Sequence, residues 1–532
     1  MGQSEKHHPI NHQEIHIMKK QNAKKIVIIG AGIGGLGAAC YLSKAGFNVT
    51  VIEKNSELGG RANIFSAQGF TFDMGPSWYL MPDIFEHFFD VMGEDLPSYL
   101  KLSRLSPSYR IFFREETDTS GKPLVIDMHS DLSKDIPTLA PYEEQFAEKI
   151  QDYLKQSEAQ YTIAKKDFMY RNYNTIFDFF TWDIMKNGLK LNVFSNIDAH
   201  ISKWFKSDIV KKILEYTMVF LGSSPYETPA LYSIMSHIDF NMGVFYPEGG
   251  LHSIANALEA IGTKYGVMYL RNTSVTQINV LEGKTTGVTL SDGTVIKADS
   301  VVSNADMYFT ETKLLVPEYQ TYPESYWEKK TLAPSGFILY LGVDKKIPSL
   351  THHNLVFSKD WRKGFGELFT KPVLPTDPSY YVCAPSVTDA TVAPAGCENL
   401  FVLVPIASGL SYTDTEINAY AKKILDSMEQ DLGIPGLKKH ITYQRIFSVK
   451  DFESMYNAYK GNALSGMAHT LFQTAVFRPD NRSKKVSNLF YVGAGTNPGI
   501  GVPICLISAE LVYKRIMGVT HAHPITEIIT VD

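Results

Sequence analysis

The glycine turn that follows Ile26-Val27-Ile28-Ile29 constrains this chain more than any other feature. A short run that is apolar at every position fits a strand buried on both faces. Gly30, Gly32 and Gly35 follow at once as GxGxxG, and Leu36-Gly37-Ala38-Ala39-Cys40-Tyr41-Leu42 then reads as a helix with small residues on one side. Gly46 ends that helix, and Asn48-Val49-Thr50-Val51-Ile52-Glu53 makes the second strand of a βαβ unit of about 30 residues. The first glycine permits a tight turn, the second lets a pyrophosphate approach the backbone, and the third lets helix and strand pack closely. Free N–H groups and a partial positive charge at the helix start favour phosphate. Glu53 closes the second strand 18 residues after Gly35, where a carboxylate binds ribose hydroxyls and repels the extra phosphate of NADP. Gly34 and Lys54 belong to the same candidate dinucleotide site.

What comes next separates FAD from NAD. Glu57-Leu58-Gly59-Gly60-Arg61 resembles the GGR extension of the amine-oxidase and carotenoid-desaturase flavoproteins. In them two glycines, here Gly59 and Gly60, let the chain cross the cofactor, and the arginine, here Arg61, reaches its phosphates. Asp73-Met74-Gly75-Pro76 resembles that superfamily's turn near the flavin, which adds Gly75 and Pro76. At the other end of the chain, Leu489-Phe490-Tyr491-Val492 reads as a strand, followed by a loop and a helix from about Val502 to Met517. Gly493, Gly495 and Gly501 let a ring system lie against the backbone, and Pro503 suits a first helical turn. A helix start at Val502 aimed at the flavin would favour the negative charge that the ring takes on reduction.

The material between these ends has a different texture. From about Pro97 to Phe240, Lys/Glu-rich helical stretches alternate with aromatic clusters such as Phe177, Phe179, Phe180 and Trp182, and Ile201–Phe205 and Ile209–Leu214 carry helical periodicity. From Tyr269 to Asp306 the pattern is β, with Val275, Ile278 and Val280 leading to a hairpin turn at Ser291-Asp292-Gly293, and Val275 joins the cofactor candidates. Phe337–Leu341 and Leu400–Val404 read as further strands. With 532 residues the chain exceeds one simple core. The expected fold is α/β: a Rossmann-like FAD-binding domain of the glutathione-reductase type, built from 24–96, 245–310 and 470–518, with an inserted α+β substrate and membrane-associating domain from 97–244 and 311–469. Residues 1–23 are expected to be a disordered leader, with Met18 an alternative start, and 519–532 a tail. The four cysteines are widely separated and form no CxxC pair, so free thiols are expected and no metal site is read. A net charge of −5 with no basic stripe argues against nucleic acid.

Over nearly all of residues 24–518 the chain resembles the bacterial-type phytoene desaturases, the carotenoid-desaturase family. The central segments Ser224–Ala230, Tyr246–Gly250, Asp377–Val382 and Ala393–Gly396 carry that resemblance. So do Thr470–Ala475, Phe477-Arg478-Pro479 and Asn481-Arg482-Ser483 before the last glycine-rich loop. One departure is Asn497, where many members have histidine.

The resemblance implies an apolar polyene as substrate, most often C40 and C30 in some relatives, desaturated by hydride transfer to flavin N5, with phytoene toward lycopene the leading reading. Asp73, Glu227 and Glu248 lie in family-like blocks but read as structural or cofactor-side, and no base is assigned; Arg478 reads as a loop anchor. At about 0.8 kcal/mol per methylene, moving a C40 hydrocarbon into water would cost on the order of 30 kcal/mol. The substrate must therefore be taken from lipid, by a protein attached peripherally to the inner face of the cell membrane on the cytoplasmic side. Tyr170–Phe194, with Arg171, Lys186 and Lys190, is the candidate docking stretch. The rival readings are another carotenoid-family oxidoreductase or isomerase, a flavin amine oxidase, and a prenyl-lipid escort protein without enzymatic activity.

Overall fold

The computed structural model describes residues 23–118, 120–174 and 195–531. Lys25–Ile29 is the central strand of a five-stranded parallel sheet, flanked by Ser300–Ser303 and Leu489–Tyr491 on one side and by Asn48–Ile52 and Met268–Leu270 on the other. Ile26, Val27, Ile28 and Ile29 are all buried, as a strand covered on both faces requires. The helix Ile33–Lys44 runs back over the sheet and packs against the terminal helix Val502–Met517. Its small residues allow the approach: a Cβ on Gly37 would lie 3.1 Å from both Ala509 Cβ and Leu506 Cδ2. The helix His252–Lys264 packs on it too, where the Cys40 thiol donates to the Leu258 carbonyl.

A three-stranded antiparallel meander, Val275–Leu281, Lys284–Leu290 and Val295–Lys297, leads into the parallel-sheet strand Ser300–Ser303. The second large unit is a seven-stranded sheet in the spatial order Ile441–Phe447, Ser335–Val343, Glu398–Ile406, Tyr380–Cys383, His353–Phe357, Tyr109–Thr117 and Pro123–Met128. It is antiparallel except where His353–Phe357 runs parallel to Tyr109–Thr117. Strand periodicity sorts its two faces. Phe337, Leu339 and Leu341 pack with Ile417, Ile424 and Met428 of the helix Asp414–Asp431, whereas Ile338 and Tyr340 belong to the main core on the other side. Thr413 and Glu416 form a capping box that starts that helix.

The helical periodicity at Ile201–Phe205 is displaced. The helix is Ile197–Ile201, started by the Asn196 side chain, which accepts from Ala199 N. Residues 202–204 then form turns before Ser207 caps the next helix, Asp208–Glu215. The docking stretch lies outside the described residues from position 175 onward, as does the leader up to residue 22.

Candidate functional site

Parallel pairing brings the carboxyl ends of the sheet strands side by side, and the backbone there is tied across strands. Gly30 N donates to Ile52 O, Asn304 N to Ile29 O, and Val492 N to Ser303 O, at 2.8, 2.8 and 2.9 Å. Gly30 has φ +90°, which a side chain would strain. The buried Glu53 carboxylate accepts from Ala31 N at 2.8 Å and from Asn55 N at 2.9 Å, which pins the turn, and it also lines the cavity described below. The Gly59-Gly60 segment crosses directly over the first turn: Gly59 N donates to Ala31 O, and a Cβ on Gly60 would lie 3.0 Å from Gly32 Cα.

Arg61 follows from that crossing. Its Nη2 donates to the Asn462 carbonyl at 3.0 Å, its guanidinium lies over the Tyr456 ring, and its Nε is buried with no hydrogen-bond partner. Burial lowers its pKa, and the nearby Asp306 opposes that shift. Asp306 is itself buried, and desolvation holds its carboxyl above the usual range against the pull of Arg61. Lys54 lines the cavity, but its ammonium is engaged by the Ser454 carbonyl and Asn457 Oδ1.

The C-terminal loop closes the other side. Gly495, Gly501, Val502 and Pro503 line the same cavity, with Gly501 N-terminal to the helix Val502–Met517. A buried imidazole stands beside this loop although position 497 is asparagine: a Cβ on Gly499 would lie 2.7 Å from His469 Nε2. Asn497 instead directs its side chain to the Pro479 carbonyl. His469, Asn304 and Asp306 are not among the sequence candidates: His469 stands just before the Thr470–Ala475 segment and the other two just after the strand Ser300–Ser303, and none has a spacing of its own to mark it.

These elements enclose one cavity of about 1460 Å³. Of the sequence candidates, Gly30, Gly32, Gly34, Glu53, Lys54, Gly60, Arg61, Gly75, Pro76, Val275, Gly495, Gly501, Val502 and Pro503 line it. Gly35 and Gly493 do not line it; both stand where close packing needs a glycine, as the third glycine of the motif is expected to do. A Cβ on Gly35 would lie 2.3 Å from the Gly30 carbonyl oxygen, and one on Gly493 would lie 2.4 Å from Asn304 Nδ2. Asp73 is spent on the backbone N–H groups of Leu251 and His252, while Glu227 and Glu248 are exposed. Beyond the nucleotide end the walls are apolar, built from Trp78, Leu80, Phe220, Leu231, Ile234, Met235 and Ile238, with Phe401 and Leu403 from the large sheet.

The first turn fits a dinucleotide on its own features. Gly32, Gly34 and Gly60 leave a bare backbone cradle, the Glu53 carboxylate at the end of the second strand would meet a ribose, and the unpartnered Arg61 Nε would supply a donor for an anion. Comparison with known proteins agrees. Residues 33–517 match the family of flavin containing amine oxidoreductases. The chain is 43% identical to a carotenoid 3,4-desaturase of Haloarcula japonica, over 93% of this chain and 98% of that one. It is 35% identical to a zeta-carotene-forming phytoene desaturase of Myxococcus xanthus, over 94% and 96%. In fold it is similar to an oxidoreductase from Methanosarcina mazei, with a TM-score of 0.60 at 18% identity over 93% of this chain and 100% of that one. The Rossmann-like α/β fold is that of the FAD-binding oxidoreductases, and FAD is the cofactor. The chain belongs to the carotenoid desaturases within the flavin containing amine oxidoreductase family.

Proposed function

We propose that the protein desaturates a C40 carotenoid drawn from a lipid bilayer. The observation that carries this reading is one continuous cavity, which runs from the nucleotide turn into apolar walls and, at about 1460 Å³, exceeds the roughly 300–1,000 Å³ of an ordinary small-molecule pocket. That is room for a cofactor and a long hydrocarbon together. The higher identity to the carotenoid 3,4-desaturase favours the 3,4 bond of an already unsaturated carotenoid as the target. Phytoene toward lycopene is the second reading, supported by the Myxococcus relative.

Bound flavin supplies the hydride acceptor, N5. The chain's own residues hold the polyene and keep water out. Ile234, Met235 and Ile238, one face of a helical segment, line the cavity together with Trp78 and Phe220, so a chain lying among them is desolvated. Alignment of an allylic C–H at about 3.5 Å from its acceptor is then a matter of packing rather than of hydrogen bonds. Among the described residues, the carboxylates lining the cavity are Glu53 and Asp306, both at the nucleotide end.

Entry from lipid is supported by the rim. Phe472 is 71% exposed and Phe477 44% exposed, yet both also line the cavity, and their rings pack edge to face with centroids 5.7 Å apart. Among the described residues no helix is long and apolar enough to cross a membrane, so the attachment proposed is peripheral, on the inner face of the cell membrane. The test is incubation with FAD and liposomes holding either phytoene or lycopene, with products resolved by chromatography. A new chromophore from lycopene supports the first reading, and conversion of phytoene alone the second. Flavin-loaded protein that leaves both untouched would overturn the proposal.

A further inference from the structure

Beside the C-terminal loop lies a buried cation that no carboxylate among the described residues balances. Arg478 is 3% exposed and does not line the cavity, although its partner His469 and the neighbouring Ala494 and Gly499 do. Its Nη1 donates to His469 Nε2 at 3.3 Å and to the Gln473 carbonyl at 3.4 Å. Its Nη2 donates to the carbonyls of Met467 and Ala494, at 3.2 and 3.4 Å, and its Nε has no partner. All four bonds are long for a charged donor, whose contacts usually fall near 2.7–2.9 Å. No described acidic side chain forms an ion pair with it; the neighbouring ionisable groups are the tyrosines Tyr232 and Tyr326. Removing a cation from water without a counter-charge costs several kcal/mol, so a loop anchor alone is a poor reason to keep one here.

Three further facts say where the counter-charge belongs. The Ala494 carbonyl that Arg478 holds is part of the loop that lines the cavity before the helix Val502–Met517. Arg478 Cζ lies 3.6 Å and His469 Nε2 2.7 Å from where a side chain on Gly499 would begin, so the guanidinium and its histidine both stand against a glycine that lines the cavity. The histidine beside it is held neutral: Arg478 donates to His469 Nε2, which obliges Nδ1 to carry the proton that it gives to the Leu221 carbonyl at 2.6 Å. The positive charge of the pair therefore stays on Arg478 and faces the loop together with the positive end of the terminal helix.

We propose that Arg478 is a positioning residue that seats the 493–501 loop and makes that end of the cavity favour the negative charge gained by the flavin ring on reduction. The charge balance is simple. The substrate loses a hydride, two electrons with one proton, to the ring and a second proton elsewhere, so the ring gains one negative charge. This rests on the FAD assignment and not on which carotenoid is used.

The test reads the cofactor rather than turnover. In the wild-type protein the midpoint potential of bound FAD should fall, across pH 6 to 9, with one proton taken up per two electrons. Arg478→Lys should keep that slope. Arg478→Gln, once shown to bind FAD by its visible spectrum, should shift the potential to more negative values and move the slope toward two protons per two electrons. Two protons per two electrons in the wild type would overturn the proposal without any variant. So would an unchanged potential in flavin-loaded Arg478→Gln. Loss of FAD by both variants would leave the wild-type slope to decide.

Discussion

Asn304 joins two halves of the site: its side-chain amide donates to the Val492 carbonyl at 2.9 Å, and its Oδ1 lies 2.6 Å from where a Cβ on Gly32 would sit. Gly32 and Gly35 therefore differ in what they protect. At Gly35 the obstacle is the Gly30 carbonyl, backbone fixed by the strand on one side and the helix on the other. At Gly32 it is the tip of one side chain, which can move. Gly35→Ala is expected to give protein without flavin and to cost about 3 kcal/mol or more of stability, from clash and strain at the turn. Gly32→Ala is expected to weaken FAD binding, and Asn304→Ala added to it should restore part of the flavin content while doing nothing for Gly35→Ala. Flavin absorbance per protein and thermal melting check both; equal rescue of the two glycine variants would refute the distinction.

Arg61, next to the crossing of Gly60 over Gly32, keeps a buried Nε without a partner. A hydrogen bond to a charged group is worth about 1.5–3 kcal/mol. Arg61→Met should therefore raise the Kd for FAD by about 10- to 150-fold, with Arg61→Lys between. Titration of apoprotein with FAD at two salt concentrations measures this. The difference between wild type and variant should change little with salt, because the contact is buried.

How much of this was legible in the chain follows from which interactions are local. Glu53, Gly60 and Arg61 could be read because a tight turn, a strand end and a backbone crossing each impose residue types at fixed spacing. The strands Ser335–Val343 and Glu398–Ile406 were visible as apolar runs for the same reason. Asn304, Asp306 and His469 were not, because each acts on a segment far away in sequence: Asn304 on Val492, Asp306 beside Arg61, His469 on Leu221. Nothing within a few residues of them signals the partner. Gly493 shows the other side of this, since a glycine whose side-chain space is taken by Asn304 looks in sequence like one that meets a ligand.

Acid stability offers a third check. Asp239 is buried and accepts from the Tyr109 and Tyr216 hydroxyls through one oxygen, at 2.7 and 3.1 Å, while its other oxygen has no partner. Desolvation, only partly offset by the two tyrosines, raises its carboxyl to about 7. An acid raised in the folded state binds more protons there than when unfolded, so stability is full below about pH 4 and falls as pH rises toward 7. Asp73, also raised to about 7 by burial, adds to the same window. Asp239→Asn should then be more stable than wild type at pH 8, on the order of 2 kcal/mol, and no more stable at pH 4. Urea unfolding at the two pH values measures it. A gain of equal size at both would mean that the charge is not the cause.

The exposed pair at the rim makes the membrane reading testable apart from catalysis. Phe472 and Phe477 rest on each other outside the core, in two short helical turns, Leu471–Gln473 and Ala475–Phe477, between the His469 and Arg478 anchors. Those anchors are fixed by buried hydrogen bonds, so the two rings can change without loosening the loop behind them. Burying a phenylalanine side chain in an apolar phase contributes about 1.5–3 kcal/mol. Replacing both by serine should lower partitioning onto neutral liposomes by about 100-fold or more if both rings enter the bilayer. FAD content and melting temperature should stay near wild type, because neither ring belongs to the core. Turnover should recover when substrate is delivered in detergent micelles instead of bilayers. A double variant that sediments with liposomes as well as wild type would place the docking surface elsewhere.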